Sequence, residues 1–260
     1  MEKEIEIYRN MIFYYAFKYK GVWKDVYNAI KQKEEWDEEW TLETIKKTKA
    51  NWVTVIDSNY PERFKFINNP PFIIFYYGDL SLIDSDKILG VVGSRNASSY
   101  GKRACLKILS ELDKDIVILS GLACGIDTVA HQYALDNNMK TIAVLGNGID
   151  RCYPKENFLL YQKIKKEGLI ISEYPYTDIV SNKSFLFRNR LIGGISNALF
   201  VPDVKDRSGT LVSVRFALDA GKPILVVPTS IFEPDLLNNQ LILEGACPVS
   251  SGKDVKDEIN

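Results

Sequence analysis

Six short, uninterrupted apolar runs constrain this chain more than any other feature. They are ILGVVG at 88–93, DIVILSG at 115–121, TIAVLG at 141–146, LIISE at 169–173, ALFVPD at 198–203 and PILVVP at 223–228. A strand wetted on one face alternates apolar and polar residues, whereas a run that is apolar throughout fits a strand covered on both faces. Helix-length segments separate most of the runs. Strand alternating with helix, joined by right-handed crossovers, predicts a doubly wound, mostly parallel α/β sheet. With 260 residues, 46% of them hydrophobic, the chain has enough apolar material to bury such a core.

Two segments precede the sheet pattern. Residues 1–50 read as a small all-helical module: Ile5, Tyr8, Ile12 and Tyr15, then Val22, Val26 and Ile30, recur at helical spacing on either side of Gly21. The acidic stretch EEWDEEWT leads into a third helix, with Thr41 as its expected N-cap. Charges balance within this module, so it reads as a packing or partner-docking unit and not as a basic arm. Residues 51–87 read as a connector with an edge strand: YPERF, the turn NNPP, then the strand FIIFYYG. Residues 88–260 carry the sheet.

The 33 basic and 34 acidic residues give a net charge of -1, which excludes a polyanion binder working by bulk charge. Any nucleic-acid site must be a local patch. No apolar stretch approaches about 18 residues, so no membrane span is expected, and the charged N-terminus MEKEIEIYRN has no signal-peptide apolar region. The four scattered cysteines form no CxxC pair; they fit a reduced, cytoplasmic setting and no metal site. With His131 the only histidine, no His cluster exists either.

Ligands of such sheets bind at the carboxyl ends of the strands. Four strand ends carry small residues just before a helix: Gly93-Ser94-Arg95, Ser120-Gly121, Gly146-Asn147-Gly148 and Ser208-Gly209-Thr210. Small residues let backbone amides at helix starts approach an anion; equally, they simply make turns. Converging on one rim, they predict an extended phosphate-binding surface. Arg95, Lys155, Arg188 and Arg190 lie near the same rim, and Asn189 stands between the last two. The arginines either grip phosphate bidentately or form salt bridges. Phe185 and Phe187 are either stacking platforms for bases or core residues. Asp127 and His131 are spaced for an i,i+4 contact of structural character. Asp203 is placed to pair with Arg188 or Arg190, or to hold a ribose hydroxyl. A P-loop, a complete dinucleotide fingerprint and a GxSxG elbow are all missing, and no catalytic residues and no cofactor are assigned.

YPERF, PPFIIFYYGDLSLI, VVGSRNASSYG, SGLACGIDTVAH, GNGIDRCYPKEN, SEYP, FRNRLIGGIS, RSGTLVSVRFALDAGKPILVVP and NQLILEGA occur in one order from about residue 58 onward. Together they resemble the DNA-processing protein A family, DprA or Smf. The resemblance implies an extended Rossmann-like domain that binds single-stranded DNA. It implies a non-enzymatic mediator that helps load the RecA recombinase onto DNA coated by single-strand-binding protein during natural transformation. It also implies a homodimer, whose interface here would fall at Asn239, Gln240, Leu241 and Ile242. Arg95 and Lys155 match the family's DNA-contacting arginine and lysine, and residues 1–50 are similar to its sterile-alpha-motif-like module. The family's C-terminal winged helix has no counterpart before Asn260. Departures are Cys124 in place of a basic residue, Asp203 for glutamate, Leu186 where proline is common, and VPT for VPG at 227–229. Two other readings remain: a nucleotide-binding Rossmann-like sensor or phosphoribohydrolase, for which the PGGxGT-type glycine run is missing, and an interaction scaffold working through the N-terminal helices.

Overall fold

The computed structural model describes residues 2–175, 181–206, 208–232 and 236–259. Three helices open the chain, α1 (Glu2–Lys18), α2 (Trp23–Gln32) and α3 (Glu38–Lys47). Gly21, at φ +72°, makes the corner between the first two. Helix α3 starts before Thr41: the Asp37 side chain accepts from the Trp40 amide and is the N-cap. Thr41 lies buried in the first turn, and its hydroxyl donates to the Asp37 carbonyl. An acid at the helix start also suits the dipole.

Next come β1 (Asn51–Thr54), the short α4 (Glu62–Lys65) and β2 (Ile73–Gly78). The alternating part is β3 (Ile88–Val91), α5 (Ser99–Leu109), β4 (Val117–Ser120), α6 (Ile126–Asp136), β5 (Thr141–Val144), α7 (Phe158–Glu167), β6 (Leu169–Ser172), α8 (Asn182–Ile195), β7 (Ala198–Val201), α9 (Gly209–Asp219) and β8 (Ile224–Val226). The chain closes with α10 (Asn238–Leu243), β9 (Cys247–Pro248) and α11 (Gly252–Ile259). All six apolar runs are strands.

Among the described residues the strands form one nine-stranded sheet in the order β1-β2-β6-β5-β4-β3-β7-β8-β9. Strand β2 runs antiparallel to β1 and β6, and the other pairs are parallel. Alternate residues of each strand feed two faces. Val117 and Leu119 of β4 face α8 and α9, with Leu191, Ile192 and Val214. Ile118 faces α5, α6 and α11, with Ile108, Ala130 and Val255. The N-terminal helices join the second face: Phe13 and Phe17 of α1 pack on Phe75 of β2, in one cluster with Tyr161 of α7. The YPERF segment is structural. Tyr60 donates to the Pro71 carbonyl at 2.6 Å, and Arg63 donates to the Ile195 and Ser85 carbonyls at 2.9 and 2.6 Å.

The chain fills β3 through β6 on one side and then, through α8, crosses to β7 on the other side of β3. That reversal splays the loops after β3 and β7 apart, and a crevice opens there. Among the described residues no helix is long and apolar enough to cross a membrane.

Candidate nucleic-acid interface

The crevice at this switch point is a groove of about 480 Å³. Gly93, Ser94, Arg95 and Asn96 after β3 form one wall, and Lys205, Ser208, Gly209 and Thr210 after β7 form the other. Helix α8 lines it with Asn182, Phe185, Leu186, Arg188 and Asn189. A side lobe of about 70 Å³ runs past Arg95, Gly121, Cys124, Tyr153 and Phe185.

The cations differ in kind. Arg95 is exposed at the groove mouth. Arg188 is buried in the floor, where its Nη1 donates to the Gly121 carbonyl at 2.9 Å and to the Val144 carbonyl, and its Nε donates to Asn189 Oδ1 at 3.1 Å. Gly121 is required here, because a Cβ on it would sit 2.5 Å from the guanidinium. Burial lowers the Arg188 pKa to about 10, opposed by the Asp127 carboxylate, so it stays charged at neutral pH. Burial in turn pushes Asp127 up, opposed by Arg188 and by the Ala123 and Gly121 amides. Lys205, half-buried, adds a cation that sequence reasoning missed. Its signal was a basic residue just past a strand end. Tyr153 was missed too: 46% exposed, it packs on Phe185 with centroids 5.4 Å apart and lines both lobes. It stands two residues before Lys155, which the sequence does single out.

Several expected site residues have other roles. Arg190 is buried in a bidentate pair with Glu173, both contacts 2.6 Å, and also donates to the Asn69 carbonyl at 3.1 and 3.0 Å. Its guanidinium lies 3.9 Å over Phe187, which is thereby tied to the pair. Neither residue lines the groove. Ser120 is buried and donates to the Val91 carbonyl at 2.6 Å. Gly146 and Gly148 are buried. A Cβ on Gly146 would lie 2.5 Å from Phe185 Cδ1, so this glycine admits α8 rather than a phosphate. The Gly148 carbonyl accepts from the Arg151 amide at 2.9 Å, closing a turn. Amides expected to face an anion are also taken within the chain: Ser94 N–H by the Asp203 carbonyl, Gly121 N–H by Asp127 and Thr210 N–H by Ser208 Oγ. Asp203 meets neither arginine; its carboxylate accepts from the Ser98 amide and hydroxyl at 3.0 and 2.7 Å. Asp127 and His131 do not pair either, since His131 Nδ1 bonds Thr141 Oγ1 at 2.7 Å.

Lys155 stands exposed on the 3-10 turn Lys155–Asn157, outside the groove walls, one turn before the exposed ring of Phe158. At the C-terminal side, Leu241 is buried in the sheet's own core and Ile242 packs against it. Asn239 latches the Thr229 amide and carbonyl at 3.0 and 2.8 Å, and Gln240 bonds Glu244 at 2.8 Å. The apolar side chains that this region exposes are Leu243, Ile231 and Phe232. Arg207, of the RSGT segment, lies outside the described residues. Among those described, no cluster of His, Cys, Asp or Glu is arranged for a metal.

Residues 51–260 match the family model for DNA recombination-mediator protein A. DNA processing protein DprA of Streptococcus pneumoniae is 40% identical over 208 residues, covering 79% of this chain and 73% of that protein. The Bacillus subtilis protein of the same name is 34% identical over 211 residues, covering 80% and 71%. The X-ray structure of Streptococcus pneumoniae DprA superposes with a TM-score of 0.81 at 32% identity, over 98% of each chain. A Helicobacter pylori DNA processing protein A, solved for its single-stranded DNA binding mode, gives 0.72 at 31% identity, over 81% of this chain and 96% of that one.

Proposed function

The chain belongs to the DNA recombination-mediator protein A family, and on that premise we propose that it binds single-stranded DNA in the groove between the β3 and β7 loops. In this reading it is a mediator without catalytic chemistry of its own. It works in the cytoplasm as a homodimer, and it helps load a RecA-type recombinase onto DNA coated by single-strand-binding protein during natural transformation.

One observation carries the binding reading: a single groove brings together Arg95, Arg188 and Lys205 with the Tyr153–Phe185 ring pair. Cations hold successive phosphates and rings receive unpaired bases, a combination that suits a single strand and not a duplex whose bases are stacked inside. Lys155 and the ring of Phe158 continue that chemistry beyond the groove wall. With the Ser94, Gly121 and Thr210 amides committed within the chain, side chains supply much of the positive potential.

The test is a fluorescence-anisotropy titration of oligo-dT and of an equal-length duplex at two salt concentrations. About three to five phosphate contacts give a slope of log affinity against log salt of about -2 to -3.5. The double variant Arg95→Ala, Lys155→Ala should bind at least about tenfold more weakly with an unchanged Tm. Unchanged affinity, or tight binding of a mononucleotide with none of oligo-dT, would sink the assignment.

A further inference from the structure

The α1–α2 corner carries a second cationic and aromatic surface, and we propose that it is an auxiliary site for single-stranded nucleic acid. One unpaired base stacks on Tyr27, and Lys20, Lys24 and Lys31 hold the flanking phosphates. The proposal rests on the groove reading in one respect: the same strand continues from the groove to this corner.

The near-neutral average of the N-terminal module hides two oppositely charged segments. Residues 18–33 contain five lysines against one aspartate, whereas residues 34–43 contain six acids and no base. Lys18 is bound by Glu34. Lys20, Lys24, Lys31 and Lys33 are exposed and form no ion pair among the described residues. Lys24, Tyr27 and Lys31 fall at i, i+3 and i+7, one face of α2, and Lys20 sits on the corner just before that helix. The opposite face, with Val26 and Ala29, is buried.

Tyr27 is the exposed member of a three-ring cluster and lies 6.4 Å and 26° from Phe72. It stacks on Trp23 at 5.3 Å and 6°, and Trp23 stacks on Phe72 at 5.2 Å and 25°. The indole is fixed by its N–H donating to the Pro70 carbonyl at 2.8 Å. Tyr27 is 41% exposed. A flat ring already immobilised on one side receives a base at little ordering cost. An acidic peptide would match the lysines but has no use for such a platform.

The corner also sits where a strand leaving the groove would pass. A Cβ on Gly21 would lie 2.5 Å from the Glu173 carbonyl oxygen, and Glu173 directly follows β6 at the carboxyl rim. Strand β6 is three places from β3 in the sheet, about 14 Å at about 4.8 Å per strand.

The experiment uses the full chain, with oligo-dT of about 6 nucleotides, which fits the groove alone, and of about 30 nucleotides. The charge-reversal variant Lys24→Glu, Lys31→Glu should weaken the long oligomer about tenfold and lower its salt slope by about 1.4, or about 0.7 for each of the two phosphates no longer held. Binding of the short oligomer should not change. Tyr27→Ala should weaken the long oligomer, and Tyr27→Trp should restore it. All these positions are on the surface, so an unchanged Tm qualifies each variant. A charge-reversal variant that binds the long oligomer like the parent chain overturns the proposal and leaves the lysines to an acidic protein partner. The groove reading fails separately, through an Arg95→Ala, Lys155→Ala chain that still holds the short oligomer.

Discussion

His131 shows how much a single side chain fixes. Thr141 Oγ1 donates its one hydrogen to the Ile118 carbonyl at 2.8 Å, so it must accept from His131 at 2.7 Å. The proton therefore sits on Nδ1. Nε2 is left bare and buried with no partner among the described residues. Burial, helped by the Arg188 charge, lowers the pKa from 6.5 to about 3. In the folded chain His131 stays neutral while its unfolded counterpart takes up a proton below about 6.5. The unfolded state then binds more protons, so stability falls as pH drops from about 6.5 toward 3, by up to about 1.4 kcal/mol per unit. Asp127, raised by burial, titrates in the opposite sense, but it is common to both chains of a comparison. Denaturant midpoints at pH 7 and pH 5 should therefore differ less for His131→Gln than for the parent chain. Equal differences would mean that the ring is not held neutral.

At the scale of an element, α8 shows what the RNR tripeptide conceals. Residues two apart on a helix point about 200° apart, so Arg188 and Arg190 cannot serve one face. The first reaches the groove floor and the second pairs with Glu173. Removing one member of a buried pair leaves an uncompensated charge, at about 3–5 kcal/mol. Arg190→Ala should lower stability by about that amount in urea denaturation, while oligo-dT affinity of the folded protein stays within a few-fold. A loss of affinity at full stability would place Arg190 on the DNA instead. The partner of Arg190 lies 17 residues away, just past β6, which no local pattern reveals. The six central strands were legible because burial on both faces is written into consecutive residues. Strand β1 was not, since NWVT is half exposed, and neither was β9, which has two residues. Arg95 was legible as the cation just past a strand end, and the same rule applied after β7 finds Lys205. Gly146 admits Phe185 of α8, and in sequence such a glycine looks the same as one that admits a phosphate.

For the whole molecule, a net charge of -1 means that affinity depends on where charge is placed and on how many grooves act together. Two copies on one strand would convert the second contact into an intramolecular one. For the proposed homodimer, the exposed apolar face at the β8 end of the sheet is the one suited to pairing. Leu243 is 89% exposed, and Ile231 and Phe232 are each 85% exposed. Asn239, one turn before Leu243, ties α10 to Thr229 and so holds the two apolar segments together. Side chains this large and this exposed gain by being covered, and covering them with a second copy is self-complementary under two-fold symmetry. If the parent chain runs as the proposed dimer, the variant Leu243→Glu, Phe232→Glu should run as a monomer in light scattering. Each groove is untouched, so affinity for an oligo-dT of about 6 nucleotides should hold. Affinity for a long oligomer that spans two grooves should fall by up to about 100-fold. If the variant remains dimeric, the interface lies elsewhere. If it is monomeric and yet binds the long oligomer undiminished, a single groove with its flanking cations suffices.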